Sequence, residues 1–211
     1  MRLYLANVGV NTADARLRGL KSPVFLDRTF EFVPIKESAS FAQARSIPRY
    51  RDLPSWTGRA RSIADFLPDQ FRKYKTHADP EFETFTYGDI RSPRASHLRR
   101  MGRGDELWFL ARLWSHDGDT WTGRHALYLI GYLVVRRVIE LPEGPSELLP
   151  QVVHWIENNA HWRRRLAGDR SPATIVVGDR SASRRFEKAI QVTPEVAGLI
   201  YGGKYDPSTG V

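Results

Sequence analysis

The chain has 211 residues, enough for one core of substantial size and tight for two. Its 32 Lys+Arg against 24 Asp+Glu leave a formal charge of +8, which favours an anionic partner. Cysteine is absent, so disulfides, thiolate zinc sites and cysteine nucleophiles are excluded.

One α+β domain over residues 1–201 is expected, with 36–61 as a long surface loop and 202–211 as a loose tail. The apolar run at the N-terminus is interrupted by Asn7, Gly9 and Asn11. It is too short for a signal peptide or a membrane span, so a cytoplasmic location is expected.

Leu3 to Val8 reads as the first strand. Thr29 to Ile35 alternates and carries Pro34, as an edge strand does. Ser62 to Lys75 is a short helix broken near Pro68. Glu81 to Tyr87 is a short strand ahead of Gly88-Asp89. Ser92 to Met101 reads as a helix capped by Ser92 with Pro93 at its first position. Asp105 to Trp114 and Leu127 to Leu141 are the clearest strands, joined by a polar hairpin loop. Both are apolar on both faces, which puts them at the centre of a mixed curved sheet or pseudo-barrel with flanking helices. Gly131 implies a bend or a close backbone approach. Ser146 to Ala167 reads as one long helix, with Leu149, Val152, Val153, Ile156 and Ala160 as its buried stripe. Ala173 to Val177 is a buried strand, Ser181 to Ile190 a helix, and Pro194 to Ile200 a last turn or two.

Five phrases occur in order: MRLYLANVGVNT, KSPVFLDRTFEFVPIKES, THADPEFETFTYGD, HLRRMGRGDELWFLARL and LYLIGYLVVRRVIEL. Together they resemble the family called nucleotide modification associated domain 3. The resemblance covers most of the chain, and the run from Asp79 to Asp89 is its most distinctive part. It implies a setting of nucleic-acid base modification and leaves the reaction undefined. The central Gly-Asp turn, strand, loop and Gly-containing strand also look like the PUA, ASCH and EVE pseudo-barrels. That second resemblance implies binding of RNA or of modified bases, and hydrolysis in a few cases.

Three groups of residues carry candidate chemistry. His77, Asp79, Glu83 and Asp89 supply an imidazole and carboxylates for general acid–base work, and Glu81 and Tyr87 lie among them. On an extended segment Glu81, Glu83 and Tyr87 share one face, where paired carboxylates need a cation or exposure. A solvated strand face fits the same residues. Asn7, Tyr87 and Trp108 are the candidate base pocket, with amides for a base edge and rings for stacking; Asn11 is a further amide. Arg180, Ser181, Ser183, Arg184 and Arg185 are the candidate phosphate site, at the expected start of a helix after a buried strand. Simple capping explains that stretch equally well. Arg163, Arg164 and Arg165 diverge around a helix and do not meet one ligand. His154 and His161 are seven positions apart and read as structural.

No cofactor is assigned and no metal-ligand set is assigned; a divalent cation enters only if the chain is an enzyme. The expected partner is DNA, RNA or a nucleotide. Three functions stay open. The favoured one is a binding module that accepts a single (modified) base in a pocket beside a basic phosphate-binding surface. The second is an enzyme acting on a nucleotide or modified base through His77 to Asp89. The third is a non-catalytic subunit of a modification or defence complex.

Overall fold

A computed structural model describes residues 1–9, 19–144 and 148–201, without the side chains of Arg94, Ile200 and Tyr201. Asn11, Ser146 and the expected tail at 202–211 lie outside the described residues. The elements in chain order are β1 (Leu3–Val8), β2 (Ser22–Val24), β3 (Ile35–Lys36), α1 (Asp69–Arg72), β4 (Thr76–His77), β5 (Thr86–Ile90), β6 (Glu106–His116), β7 (Trp121–Leu141), α2 (Pro150–Ile156), α3 (Ala160–Leu166), β8 (Ala173–Gly178), β9 (Arg184–Gln191) and α4 (Pro194–Tyr201). Short 3-10 turns fill the gaps. No helix among them is long and apolar enough to cross a membrane.

Seven strands form one mixed sheet in the order β1-β6-β7-β8-β5, with β2 also on β6 and β9 also on β7. β1 and β2 run parallel to β6, and the remaining pairs are antiparallel. The expected α+β class, with a mixed curved sheet and flanking helices, is what the chain adopts. The sheet does not close into a barrel.

β7 explains the curvature. Its first part pairs with β6, and from Val135 onward it pairs with β8. Register shifts fall between Val135 and Arg137 and, opposite Gly131, between Phe109 and Leu110. Such irregularities bend a strand and increase its twist. Gly131 is the close approach its position implied: a Cβ there would lie 2.6 Å from the Arg184 carbonyl oxygen and 2.9 Å from Phe82, at a φ of 158°.

The main core lies on one face of this sheet, around Leu107, Phe109, Leu113, Ile130 and Leu133. On another face Ile156 and Trp162 pack on Ile139, Leu141, Ile175 and Val177. A separate cluster of Leu20, Val33, Tyr50, Ile63, Leu67 and Phe71 belongs to the segment before the central strands.

Several expectations need correction. Residues 36–61 are not only a surface loop, because Ile47 and Tyr50 are buried and the Tyr50 hydroxyl donates to the Pro34 carbonyl at 2.9 Å. Thr29 to Ile35 is not a continuous strand. Phe30 bridges to Val24, and only Ile35–Lys36 joins a ladder. Ser181 to Ile190 is not a helix. Residues 184–191 pair with the open edge of β7 at Tyr128 to Tyr132, and this pairing overrides local preference. The expected long helix is two helices. The first ends at Ile156, and Asn159 caps the second, accepting hydrogen bonds from the His161 and Trp162 amides at 2.9 and 3.4 Å. Leu149 therefore sits at the start of α2 and is exposed rather than in the buried stripe.

Candidate functional site

The site forms where three pieces of backbone meet. The β3–β4 ladder pairs Ile35 with His77, which brings Glu37, just past β3, alongside the His77 ring. Asp79 follows two residues later, and its Oδ2 accepts from the Gly88 amide of β5 at 2.9 Å. The break at Asn159 starts α3 over this same strand. The Asn159 side chain donates to the Thr86 hydroxyl at 3.2 Å, and His161 lies across Gly88. Only glycine fits there: a Cβ would stand 2.7 Å from the His161 ring.

His77 and His161 meet edge to face with ring centroids 4.7 Å apart. His161 Nε2 is 3.6 Å from Asp79 Oδ2. One donor atom from each of His77, Asp79 and His161 falls within 4.8 Å of the others. The three side chains are 9, 3 and 6% exposed. Behind them Glu37 accepts from His77 Nδ1 at 3.1 Å and from Arg164, through Nε at 2.9 Å and Nη2 at 2.5 Å. Among the described residues, two buried side-chain polar atoms have no hydrogen-bond partner: Asp79 Oδ1 and the Thr76 hydroxyl.

Burial governs the electrostatics. Burial pushes Glu37 up, but the hydrogen bonds from His77 and Arg164 outweigh it and hold this carboxyl down at about 2. Asp79 has no such cation. Burial drives its carboxyl well above the ordinary range, the Gly88 amide opposes this, and the Asp89 and Glu81 charges add to it. Burial lowers His77, with its hydrogen bond to Glu37 pulling the other way. Burial lowers His161 further, and the Arg164 charge and the repulsion that would arise if His77 were also protonated act in the same direction. The result is two imidazoles biased to the neutral form beside a carboxyl group that lacks a counter-ion. Neutral imidazole nitrogens are proton acceptors and metal ligands.

The expected catalytic residues divide. His77 and Asp79 form the centre. Asp89 is half-buried on the neighbouring strand; burial raises its carboxyl, and the charges of His77, His97 and Arg164 oppose that rise. Glu83 is exposed and accepts from Asn158 at 3.3 Å, away from the cluster. Residues 81–85 form a turn, so Glu81, Glu83 and Tyr87 do not share a strand face. Glu81 binds the turn together through the Thr84 amide and hydroxyl and the Glu83 amide.

The expected base pocket is not assembled. Tyr87 packs on Phe109, in the main core. Trp108 faces the opposite side of β6, stacked on Tyr132 at 4.9 Å. Asn7 alternates with Ala6 and Val8 of the main core, so it shares the Trp108 side and is exposed. Sheet alternation thus separates Tyr87 from the other two.

The expected phosphate site loses its physical basis with its helix. Ser181 donates to Asp179 at 2.6 Å, and the buried Ser183 hydroxyl accepts from the Val134 amide at 3.0 Å. Arg184 donates to the Ser183 carbonyl, and the Arg185 guanidinium lies 4.1 Å above the Trp56 ring. Arg180 is exposed.

Three members of the site were not anticipated as such: His161, Glu37 and Arg164. Arg163, Arg164 and Arg165 do diverge, to Asn158, to Glu37 and to the carbonyls of Pro142, Gly144 and Ser171. Of the two expected structural histidines, His154 is exposed and pairs with Glu157 at 3.3 Å, whereas His161 joins the buried cluster. The Asn158-Asn159 pair inside an otherwise helical pattern was the available signal for a second helix start at that point.

Residues 2–198 match the family model of nucleotide modification associated domain 3 (Nmad3). The chain belongs to this family. No curated protein and no solved structure matches it. The family description ties this Nmad3 chain to nucleotide modification in general, without naming a reaction.

Proposed function

We propose that this Nmad3 protein is an enzyme acting on a nucleotide or a nucleobase, with its reaction centre at His77, Asp79 and His161. The observation that carries this reading is Asp79 Oδ1, a buried carboxylate oxygen with no hydrogen-bond partner, set among two histidines. Removing a carboxylate from water costs several kcal/mol unless partners compensate. Folds retain such groups chiefly where chemistry uses them, and strongly shifted titratable groups gather at active sites. The family supplies the substrate class.

A pure binding module draws support from the charge of +8. Against it, many described cations already cover aromatic rings. Lys21 lies over Trp114 and Trp121, Lys36 over Tyr74, Arg136 over Trp155 and Arg185 over Trp56. Those rings are closed as stacking platforms for a base unless the cation moves.

The test is turnover. The full chain is incubated with nucleotides and with DNA carrying ordinary and modified bases, and products are read by mass spectrometry. A changed nucleotide or base is expected, lost in Asp79→Asn while the circular dichroism spectrum is kept. Salt-sensitive DNA binding with no product on any substrate would favour the binding module and overturn the enzyme reading.

A further inference from the structure

We infer that His77, Asp79 and His161 bind one divalent first-row transition-metal ion, with Glu37 orienting His77 from behind. This deepens the reading above and rests on it for the ion's purpose, though not for its binding.

The geometry comes first. Such ions bond imidazole nitrogen and carboxylate oxygen at about 2.0–2.2 Å, so ligands of one ion stand about 3–4.3 Å apart. The three donor atoms here lie within 4.8 Å, and His161 Nε2 at 3.6 Å from Asp79 Oδ2 sets the carboxylate group directly beside the imidazole. A closure of about half an ångström completes the set.

The second observation is independent of the spacing. Asp79 Oδ1 is buried without a partner, while Oδ2 is taken by the Gly88 amide. One oxygen of this carboxylate is therefore held in place and the other is left open. Arg164 acts on Asp79 only through its charge, because its Nε and Nη2 donate to Glu37. A divalent ion supplies the missing charge.

The shell behind the ligands has the matching form. A metal-bound imidazole usually donates its other N–H to a carboxylate, which fixes the tautomer and the ring plane. His77 Nδ1 meets Glu37 at 3.1 Å, and Arg164 in turn fixes Glu37 with a two-point grip. That leaves His77 Nε2 as the lone-pair nitrogen.

Ligand chemistry selects the ion. Two imidazoles and one carboxylate suit zinc, iron, cobalt, nickel or manganese. Magnesium and calcium prefer oxygen ligands throughout. Three protein ligands leave positions open for water or substrate, the pattern of catalytic rather than structural sites.

The experiment uses the full chain, stripped with chelator and dialysed, then titrated with Co²⁺, Zn²⁺ and Mg²⁺ in the absence of any nucleotide. Calorimetry and the visible absorption of Co²⁺ are the readouts. About one Co²⁺ or Zn²⁺ per chain is expected, with no Mg²⁺ bound at the same concentration. Asp79→Asn should lose the Co²⁺ absorption while keeping the fold. Glu37→Gln should weaken Zn²⁺ binding by about 10- to 100-fold without removing a ligand. A folded wild-type chain that takes up neither Co²⁺ nor Zn²⁺, or Asp79→Asn binding as tightly as wild type, overturns the inference. Metal uptake without turnover leaves it standing and defeats the enzyme reading; turnover by a folded chain that takes up neither Co²⁺ nor Zn²⁺ does the reverse.

Discussion

Two buried carboxylates in this chain have opposite surroundings. Glu31 is fully buried, and each of its oxygens receives a backbone amide: Trp56 donates to Oε2 at 2.9 Å and Thr57 to Oε1 at 3.0 Å. The hydroxyls of Ser55 and Thr57 add bonds of 2.5 and 2.6 Å to Oε1. Asp79, also buried, receives one amide and leaves its second oxygen bare. Glu31 is an anchor, because satisfied acceptors tie residues 55–57 to the segment that enters the sheet. Asp79 stabilises little of the fold that holds it. A satisfied buried charge marks architecture, and an unsatisfied one marks a place where something else is meant to bind.

The sharpest break of this comparison is the same change made at both sites, carboxylate to amide. In Glu31→Gln one oxygen becomes an NH2 group that must face a backbone N–H, since amides occupy both positions. Hydroxyls can turn away; backbone donors cannot. Losing one or two hydrogen bonds to a charged acceptor, at roughly 1.5–3 kcal/mol each, predicts a destabilisation of about 3–5 kcal/mol. Urea denaturation followed by tryptophan fluorescence measures it. A loss below about 1 kcal/mol would mean that Glu31 anchors nothing.

Gly88→Ala probes the boundary between the two roles. The new methyl would stand 2.7 Å from the His161 ring and 3.3 Å from the Thr174 carbonyl. The ring is the part that gives way, so strain of about 1–3 kcal/mol is expected together with a displaced His161. Denaturation reports the first effect and Co²⁺ titration the second. Wild-type affinity for Co²⁺ in this variant would show that His161 tolerates the displacement.

How much of this was legible beforehand follows from the kind of signal each part sends. The central strands announce themselves through unbroken apolar runs, and Gly131 through its place within one. β9 does not, because RRFEKAIQ has no strand period of its own and is recruited by the free edge of β7. His77 and Asp79 were found because they are neighbours in sequence. Glu37 and Arg164 were not, since no spacing links residues that meet only after β3, β4 and α3 have packed. The base pocket failed for a simpler reason: β5 and β6, separated by β7 and β8, carry Tyr87 and Trp108 to opposite sides of one sheet, and composition is blind to sidedness.

Asp79→Asn is the counterpart of the Glu31 experiment and should move stability far less. The Gly88 amide keeps an oxygen to donate to, and the cost of a buried carboxylate without a counter-ion disappears. The new NH2 group lacks a partner, which offsets part of the gain. A net change within about 1 kcal/mol of wild type is expected, with turnover abolished. A loss as large as that of Glu31→Gln would place Asp79 among the anchors and remove the contrast.

The smallest effect concerns a third carboxylate, at the foot of β1. Asp105 accepts from the Gly102 amide at 3.0 Å, from the Arg2 amide at 2.8 Å and from the Arg2 guanidinium at 3.0 Å. The Gly102 bond leads in holding its carboxyl below the ordinary aspartate value of 3.8; burial acts against this, and the Arg2 bonds reinforce it. A carboxyl lowered in the folded chain contributes stability that is present above pH 3.8 and fades as pH falls through the lower folded value. Asp105→Asn should therefore cost stability at neutral pH and flatten the acid limb of the stability profile, so that the two chains converge below pH 3.8. Denaturant midpoints taken from pH 7 downward measure that convergence. A constant gap between the two profiles would show that Asp105 acts through shape rather than charge, and that satisfied carboxylates here need not be ionised to anchor the fold.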